Sequence, residues 1–326
     1  MTRTLVGMLL FSSIGYAGTL GNQSIAVDCA FSVTITATSA SDGLILDPGD
    51  PIFSKTCPGT GLSFRNTVDP QLDSVPSFTL DCNHAGTIRG SGKGNGIALR
   101  GPQFKVYNCT VDGFGTGIAA GGDGDDLENN VVQNSTGDGF YLHRPRDLIH
   151  NENFLGVFVV NDQALNNGHF GFRFKGGGFY VSGANHASGN TLGGYSMTRG
   201  VGNSFDQDGP GNDNYATDNG GPGFYITSVG FDSCCIPVSV AHIQAQNNAG
   251  AGVVYVGRFG CECNATLPEC LQDGCLPVYF SALSVTASGN SGTCPRGTAP
   301  LPPGGDGQIC IGATNCTGRD YLGPAC

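Results

Sequence analysis

Between Gly94 and Gly292 one short phrase recurs: a turn around glycine, four residues of alternating character, then a stretch rich in asparagine. It reads "GNGIALRG" at 94, "GTGIAAGG" at 115, "GDGFYLHR" at 137, "LGVFVVND" at 155, "FGFRFKGG" at 170, "GGYSMTRG" at 193, "GPGFYITS" at 221 and "GAGVVYVG" at 250. A unit this short cannot bury its own apolar face, so successive copies must stack on one another. That is the signature of a β-solenoid. The phrases predict about eight or nine coils, roughly 40 Å long at the spacing of paired strands. Unequal intervals place the insertions in the turns, with protruding loops near Asp206 to Asn219 and Ser228 to Ala249.

Within each phrase the first and third residues after the glycine are bulky and the others vary, which is the two-residue period of a strand. Residues such as Ile97, Phe140, Phe172 and Phe224, with Leu99, Leu142, Phe174 and Ile226 beside them, are therefore expected to form a dry interior. Burial of such side chains contributes about 1.5 to 3 kcal/mol each. Asn134, Asn190, Asn219, Asn248 and Asn290 recur before the turns, where an amide tolerates left-handed backbone and can bond to the same residue one coil away.

The net charge is −11 and only 13% of residues are charged, which does not suit a nucleic-acid partner, whose binding needs a basic stripe. Glycine, 54 of 326 residues, has no three-residue period, so collagen is excluded. Residues 1–17 combine Arg3, an apolar run from Leu5 and a small-residue end, and so predict a cleavable leader. No later segment approaches the roughly 20 apolar residues of a membrane span. A secreted, periplasmic or cell-surface protein is expected, and the fourteen cysteines fit an oxidising compartment. Zinc suits "CECNATLPEC" with Cys275 poorly, because paired C-x2-C knuckles and interleaved histidine are missing. From Thr293 the pattern dissolves into a tail with four cysteines, which is expected to be tied by disulfides.

The segment "SFTLDCNHAGTIRGSGKGNGI" from Ser77, with "VDC" at 27 and "TCPGTGLSF" at 56, resembles the opening coils of right-handed parallel β-helix proteins of the pectate-lyase-like superfamily. His84 and Ala85 interrupt the family's usual run before Gly86. The resemblance spans roughly residues 25 to 292 and implies an all-β, single-stranded right-handed parallel β-helix over 18–292 with a cysteine-rich tail over 293–326. It also implies a disulfide between Cys29 and Cys57. It is specific for fold and not for activity.

The outward positions of the phrases carry the residues for chemistry. Tyr141, His143, Arg173 and Lys175 are the candidate catalytic residues, and Phe158, Tyr225 and Arg199 the candidate substrate-binding ones. Read in phrase order, Tyr141 and His143 lie two coils, roughly 10 Å, from Arg173 and Lys175, with Phe158 between them. Arg or Lys can neutralise a sugar carboxylate while His or Tyr moves the proton alpha to it. The superfamily's lyases and epimerases work on such an outer face, so the resemblance implies an extended, acidic carbohydrate polymer as partner. The family's catalytic motifs are not found, however: there is no Asp-Pro-His of alginate epimerases and no aspartate set of polygalacturonases.

Hydrolysis needs two carboxyl groups, and the outward positions of the phrases offer none, Asp162 standing alone just past the fourth. The same residues also suit a plain cover for a half-wet strand, as in a structural or adhesive surface protein. Calcium is the cofactor that the acidic loops could hold, from Asp206, Asp208, Asn212 and Asp213 or from Asp123, Asp125 and Asp126, although neither loop completes an EF-type set. His150 and Glu152 are expected on the next side of the coil, and the scattered histidines and three methionines form no copper cluster.

Overall fold

The computed structural model of the chain describes residues 19–20, 23–24, 26–35, 42–68, 77–144, 156–200, 204–205, 213–229, 239–240, 242–258, 285–296, 298–300 and 308–313. The expected leader, His150, Glu152, Asp206, Asp208, Asn212 and the cysteines from Cys261 to Cys275 lie outside these residues. Each coil contributes one strand to each of three parallel sheets, named here in the order the chain visits them. Among the described residues sheet 1 has eleven strands, sheet 2 eight and sheet 3 nine. Sheet 1 runs from Phe31–Ile35 to Ile309–Ala313, sheet 2 from Asp42–Ile45 to Ser239–Val240, and sheet 3 from Thr56–Cys57 to Val285–Ser288. Pro51–Ser54 is a single turn of helix. The chain is an all-β parallel helix.

Ten of the eleven strands of sheet 1 are parallel, Ala299–Pro300 pairing antiparallel with the last. This exceeds the count expected from the phrases. Phe31–Ile35, Leu62–Asn66 and Ile309–Ala313 extend the sheet at its ends, while the phrase at 155 does not belong to it. Val157–Val160 is instead a strand of sheet 2, paired with Asp126–Glu128 and Phe179–Ser182. The misplacement has a simple cause. Every strand of a solenoid, whichever sheet it enters, alternates with the same period, and Gly156, at φ +76°, turns the corner into sheet 2 much as glycines do into sheet 1.

The inward columns are dry. Phe140, Phe172, Tyr195 and Phe224 stack face to face along the axis, with centroids 4.6, 4.8 and 4.5 Å apart. Parallel in-register strands impose this spacing, so identical ring positions on successive coils become one continuous pile.

Two amide ladders line the corners. Between sheets 3 and 1, the backbone N–H and side-chain amide of Asn167 donate to Asn190 Oδ1, and Asn190, Asn219 and Asn248 repeat the pattern up to Asn290. Asn134 is not a rung. It is the left-handed residue beside Ser135, whose N–H donates to Asn167. Between sheets 2 and 3 the rungs are Asn130, Asp162, Asn185 and Asn214. Cys109 N–H donates to Asn130 Oδ1, and Cys109 is itself bonded to Cys82, so a covalent rung continues this second column. Among the described residues the other disulfides join Cys29 to Cys57 and Cys294 to Cys310.

Candidate functional site

Tyr141, His143, Arg173 and Lys175 meet on the outer face of sheet 1, more closely than the phrase order implied. Strand Phe140–His143 pairs directly with Phe170–Lys175, placing Tyr141 opposite Arg173 and His143 opposite Lys175. They are neighbours at about 4.8 Å rather than two coils apart. Phe158 is not between them: it projects from sheet 2 and stacks on Tyr180, 5.1 Å between centroids. Tyr225 does lie on sheet 1, separated from Arg173 by the buried Ser196, and it packs on the cluster of Ala251, Val254 and Cys310. Arg199 falls where the register shifts between Thr198 and Gly200, and its side chain lies outside the described residues.

Arg173 is braced on two sides. Its guanidinium sits 5.7 Å from the Tyr141 ring centroid and 3.3 Å from Asp138 Oδ2. Asp138 is itself largely buried, accepts the Phe170 N–H at 3.2 Å, and has His169 Nδ1 3.9 Å from its other oxygen. Asp138 was not among the sequence candidates because it precedes the alternating residues of "GDGF"; register with Phe170 was the missing information. With Asp138 in contact, Arg173 is a positioned rather than a free charge.

Basic-type side chains outside the described ion pairs form a line on this face. Arg65 and Arg100 are paired rungs, Gly121 follows just beyond strand Thr116–Ala120, and His143 and Lys175 complete the column. Five rungs span about 19 Å at the strand spacing. Arg65, Arg100 and His143 are exposed, and Lys175 is partly so. The ion pairs among the described residues involve other cations. Arg65, in "GLSFRN", escaped attention because that coil lies ahead of the regular phrases.

His143 stacks obliquely on Tyr141, 6.1 Å between centroids. Partial desolvation, with the Lys175 ammonium beside it, holds its imidazole below the usual histidine range. A neutral imidazole next to a cation is the arrangement needed to accept a proton from an acidic carbon whose carboxylate the cation holds.

The acidic residues fall elsewhere. Asp162 is not an outward carboxyl but a buried rung of the second ladder. Asp123, Asp125 and Asp126 do not converge on a calcium site. Asp123 pairs with the buried Arg144 at 2.9 Å, Asp125 accepts the N–H groups of Phe104, Gly121 and Gly122, and Asp126 accepts the Tyr107 hydroxyl. Asp213 faces His242 at 3.4 Å. Among the described residues no three His, Cys, Asp or Glu side chains form a metal cluster. Asp126 and Glu128 do project together from one strand of sheet 2, a carboxyl pair that the phrase-based count could not see.

Stacked parallel strands, interior amide ladders and an outer face that carries polar side chains in register define the class of the parallel β-helix. The family described as "Right handed beta helix region" matches residues 95–266, more than half of the 326. The chain belongs to this right-handed β-helix family. No curated protein and no solved structure matches it. No described helix is long and apolar enough to cross a membrane.

Proposed function

We propose that this is an exported protein that binds an acidic polysaccharide along the outer face of sheet 1. The observation that carries the reading is the column of Arg65, Arg100, His143 and Lys175, four basic-type side chains in register on a chain of net charge −11. On so acidic a molecule a line of basic-type side chains about 19 Å long, broken at Gly121, suits an extended polyanion lying along the helix axis. Residues 1–17 would be the export leader, 18–292 the helix and 293–326 its cysteine-rich cap.

The same face has the parts for processing the polymer by lyase or epimerase chemistry. Lys175 would hold the uronate carboxylate and His143 would take the alpha proton. In a lyase the electrons of that C–H bond would form the new double bond and expel the glycosidic oxygen, which the Tyr141 hydroxyl, on the ring stacked beside His143, would protonate. Arg173, held by Asp138, would orient the ring above Tyr141.

The test is a panel of acidic glycans, alginate and pectate among them, with product analysis. Binding is expected to weaken as salt rises and to fall on Arg100→Ala and Lys175→Ala together. A lyase would release unsaturated ends absorbing in the ultraviolet, lost in His143→Ala, whereas an epimerase would change sugar configuration at constant chain length. If no acidic glycan binds and the substitutions change nothing, the reading fails in favour of a structural or adhesive role.

A further inference from the structure

The outer face of sheet 2 differs in kind from that of sheet 1. Its register sets Lys105, Asp126, Phe158 and Tyr180 in one outward column, with Asp81, Tyr107, Glu128 and Val160 in the next. Three carboxylates therefore stand against one lysine. Phe158 is 39% exposed, one of few large apolar side chains so placed. Its ring is covered on one side by Tyr180, at 5.1 Å and 18°. On the other side its in-register neighbour is the much smaller Asp126, which is too short to cover the ring as Tyr180 does. Asp126 is fixed by the Tyr107 hydroxyl at 2.8 Å, and Glu128 lies two residues along the same strand, about 7 Å away by the strand rise. Gly156 gives the Tyr180 ring its room, since a Cβ there would strike it.

We propose that this notch on sheet 2 binds a polymer of hexosamine bearing free amino groups, a cationic glycan, independently of whatever occupies sheet 1. A pyranose presents one face of C–H groups, which packs on the open face of Phe158. Its protonated amine would then lie within reach of Asp126 and Glu128, and near the negative face of an aromatic ring. Charge complementarity selects this occupant: an acidic sugar is repelled by Asp81, Asp126 and Glu128, and a neutral one leaves their charge unmatched. The stacked rings supply what a merely acidic surface lacks, a flat apolar wall that distinguishes a sugar ring from any other cation.

The experiment measures binding of a glucosamine hexamer to the full-length protein by calorimetry, against the N-acetylglucosamine hexamer and a lysine hexamer. The glucosamine oligomer is expected to bind with an affinity that falls with salt, and to lose at least tenfold on Phe158→Ala and on Glu128→Gln. Phe158→Tyr should retain binding, and Arg100→Ala on sheet 1 should leave it unchanged. Circular dichroism of each variant guards against loss of fold. Equal affinity for the acetylated oligomer would overturn the role of charge. Binding that survives Phe158→Ala, or is matched by the lysine hexamer, would reduce the site to general attraction by an acidic molecule and overturn the proposal. Loss of acidic-glycan binding on Arg100→Ala with glucosamine-hexamer binding intact would separate the two faces.

Discussion

Asp162→Asn is expected to stabilise the protein, by an amount that the ladder itself sets. At the neighbouring rungs the side-chain amide donates twice. Asn130 Nδ2 bonds to Val106 O and to Asp162 Oδ1, both at 3.0 Å, and Asn185 Nδ2 bonds to Val159 O at 3.0 Å and Asn214 Oδ1 at 2.8 Å. By the same pattern Asp162 Oδ2 stands where an NH2 would face Leu127 O and Asn185 Oδ1, and it has no hydrogen-bond partner. An oxygen set among acceptors is at ease only when protonated. Burial pushes this carboxyl well above its usual range against the pull of Asn130's two donors, and the negative Asp126 and Glu128 add to the rise. Tyr195, the other titratable group facing it, has its phenol raised by the same burial.

The sign follows from proton counting. Above the ordinary aspartate pKa of about 3.9 the unfolded chain has released a proton that the folded chain keeps, so folded stability falls as pH rises from there. Asparagine removes that dependence and supplies a second donor beside the one the protonated carboxyl already offers, a hydrogen bond of about 0.5–1.5 kcal/mol that adds to the relief of holding a proton at pH 7. Urea midpoints of both proteins at pH 4, 5.5, 7 and 8, at unchanged m, measure it. Asp125, pushed up to about 7 by burial, titrates in this range in both proteins and cancels in the difference. A loss of stability at pH 7, or a gain that does not widen as pH rises, would refute the reasoning.

Phe172→Ala removes the middle of the core stack and is expected to cost about 3–5 kcal/mol in chemical denaturation, as for other fully buried aromatics. Reduction should expose amides to hydrogen exchange first around Cys29, Cys57, Cys82 and Cys109 and around Cys294 and Cys310, while the coils from 110 to 229, which contain no cysteine, keep their protection. Lys175→Gln removes one of the two causes that hold the His143 imidazole low, so its titration midpoint by NMR should rise toward about 6.5. A midpoint that stays put would show that desolvation alone sets it.

The parts legible in the sequence are those where periodicity and turn chemistry coincide. The columns of Ile97, Phe140, Phe172 and Phe224 could be read because glycine marks where each strand of sheet 1 begins. Sheet 2 was hidden: Asp126–Glu128 is three residues long, too short to show alternation, and Val157–Val160 shows it well enough to be taken for the wrong sheet. That error displaced Phe158 and stretched the distance between Tyr141 and Arg173. Asp138 and Arg65 were missed for a related reason, since which side chains become neighbours depends on coil length, and coil length is set by turns that carry no periodic signal.

The amide ladder between sheets 3 and 1 points one way from Asn167 to Gln308. At every rung the earlier residue donates through N–H and NH2, and the acceptor is supplied by a residue that comes later in the chain. A chain that folds from its N-terminus would thus lay down each coil with its donors waiting for the next coil to answer them. Growth has a polarity, with each finished rung serving as the template for its successor. Such a series needs a stop. Gln308, one methylene longer than asparagine, provides it: its side-chain oxygen accepts both donors of Asn290 and its own NH2 turns back to the Asn290 carbonyl. A chain cut before this glutamine would leave the last rung open, a surface competent to recruit the ladder of another molecule.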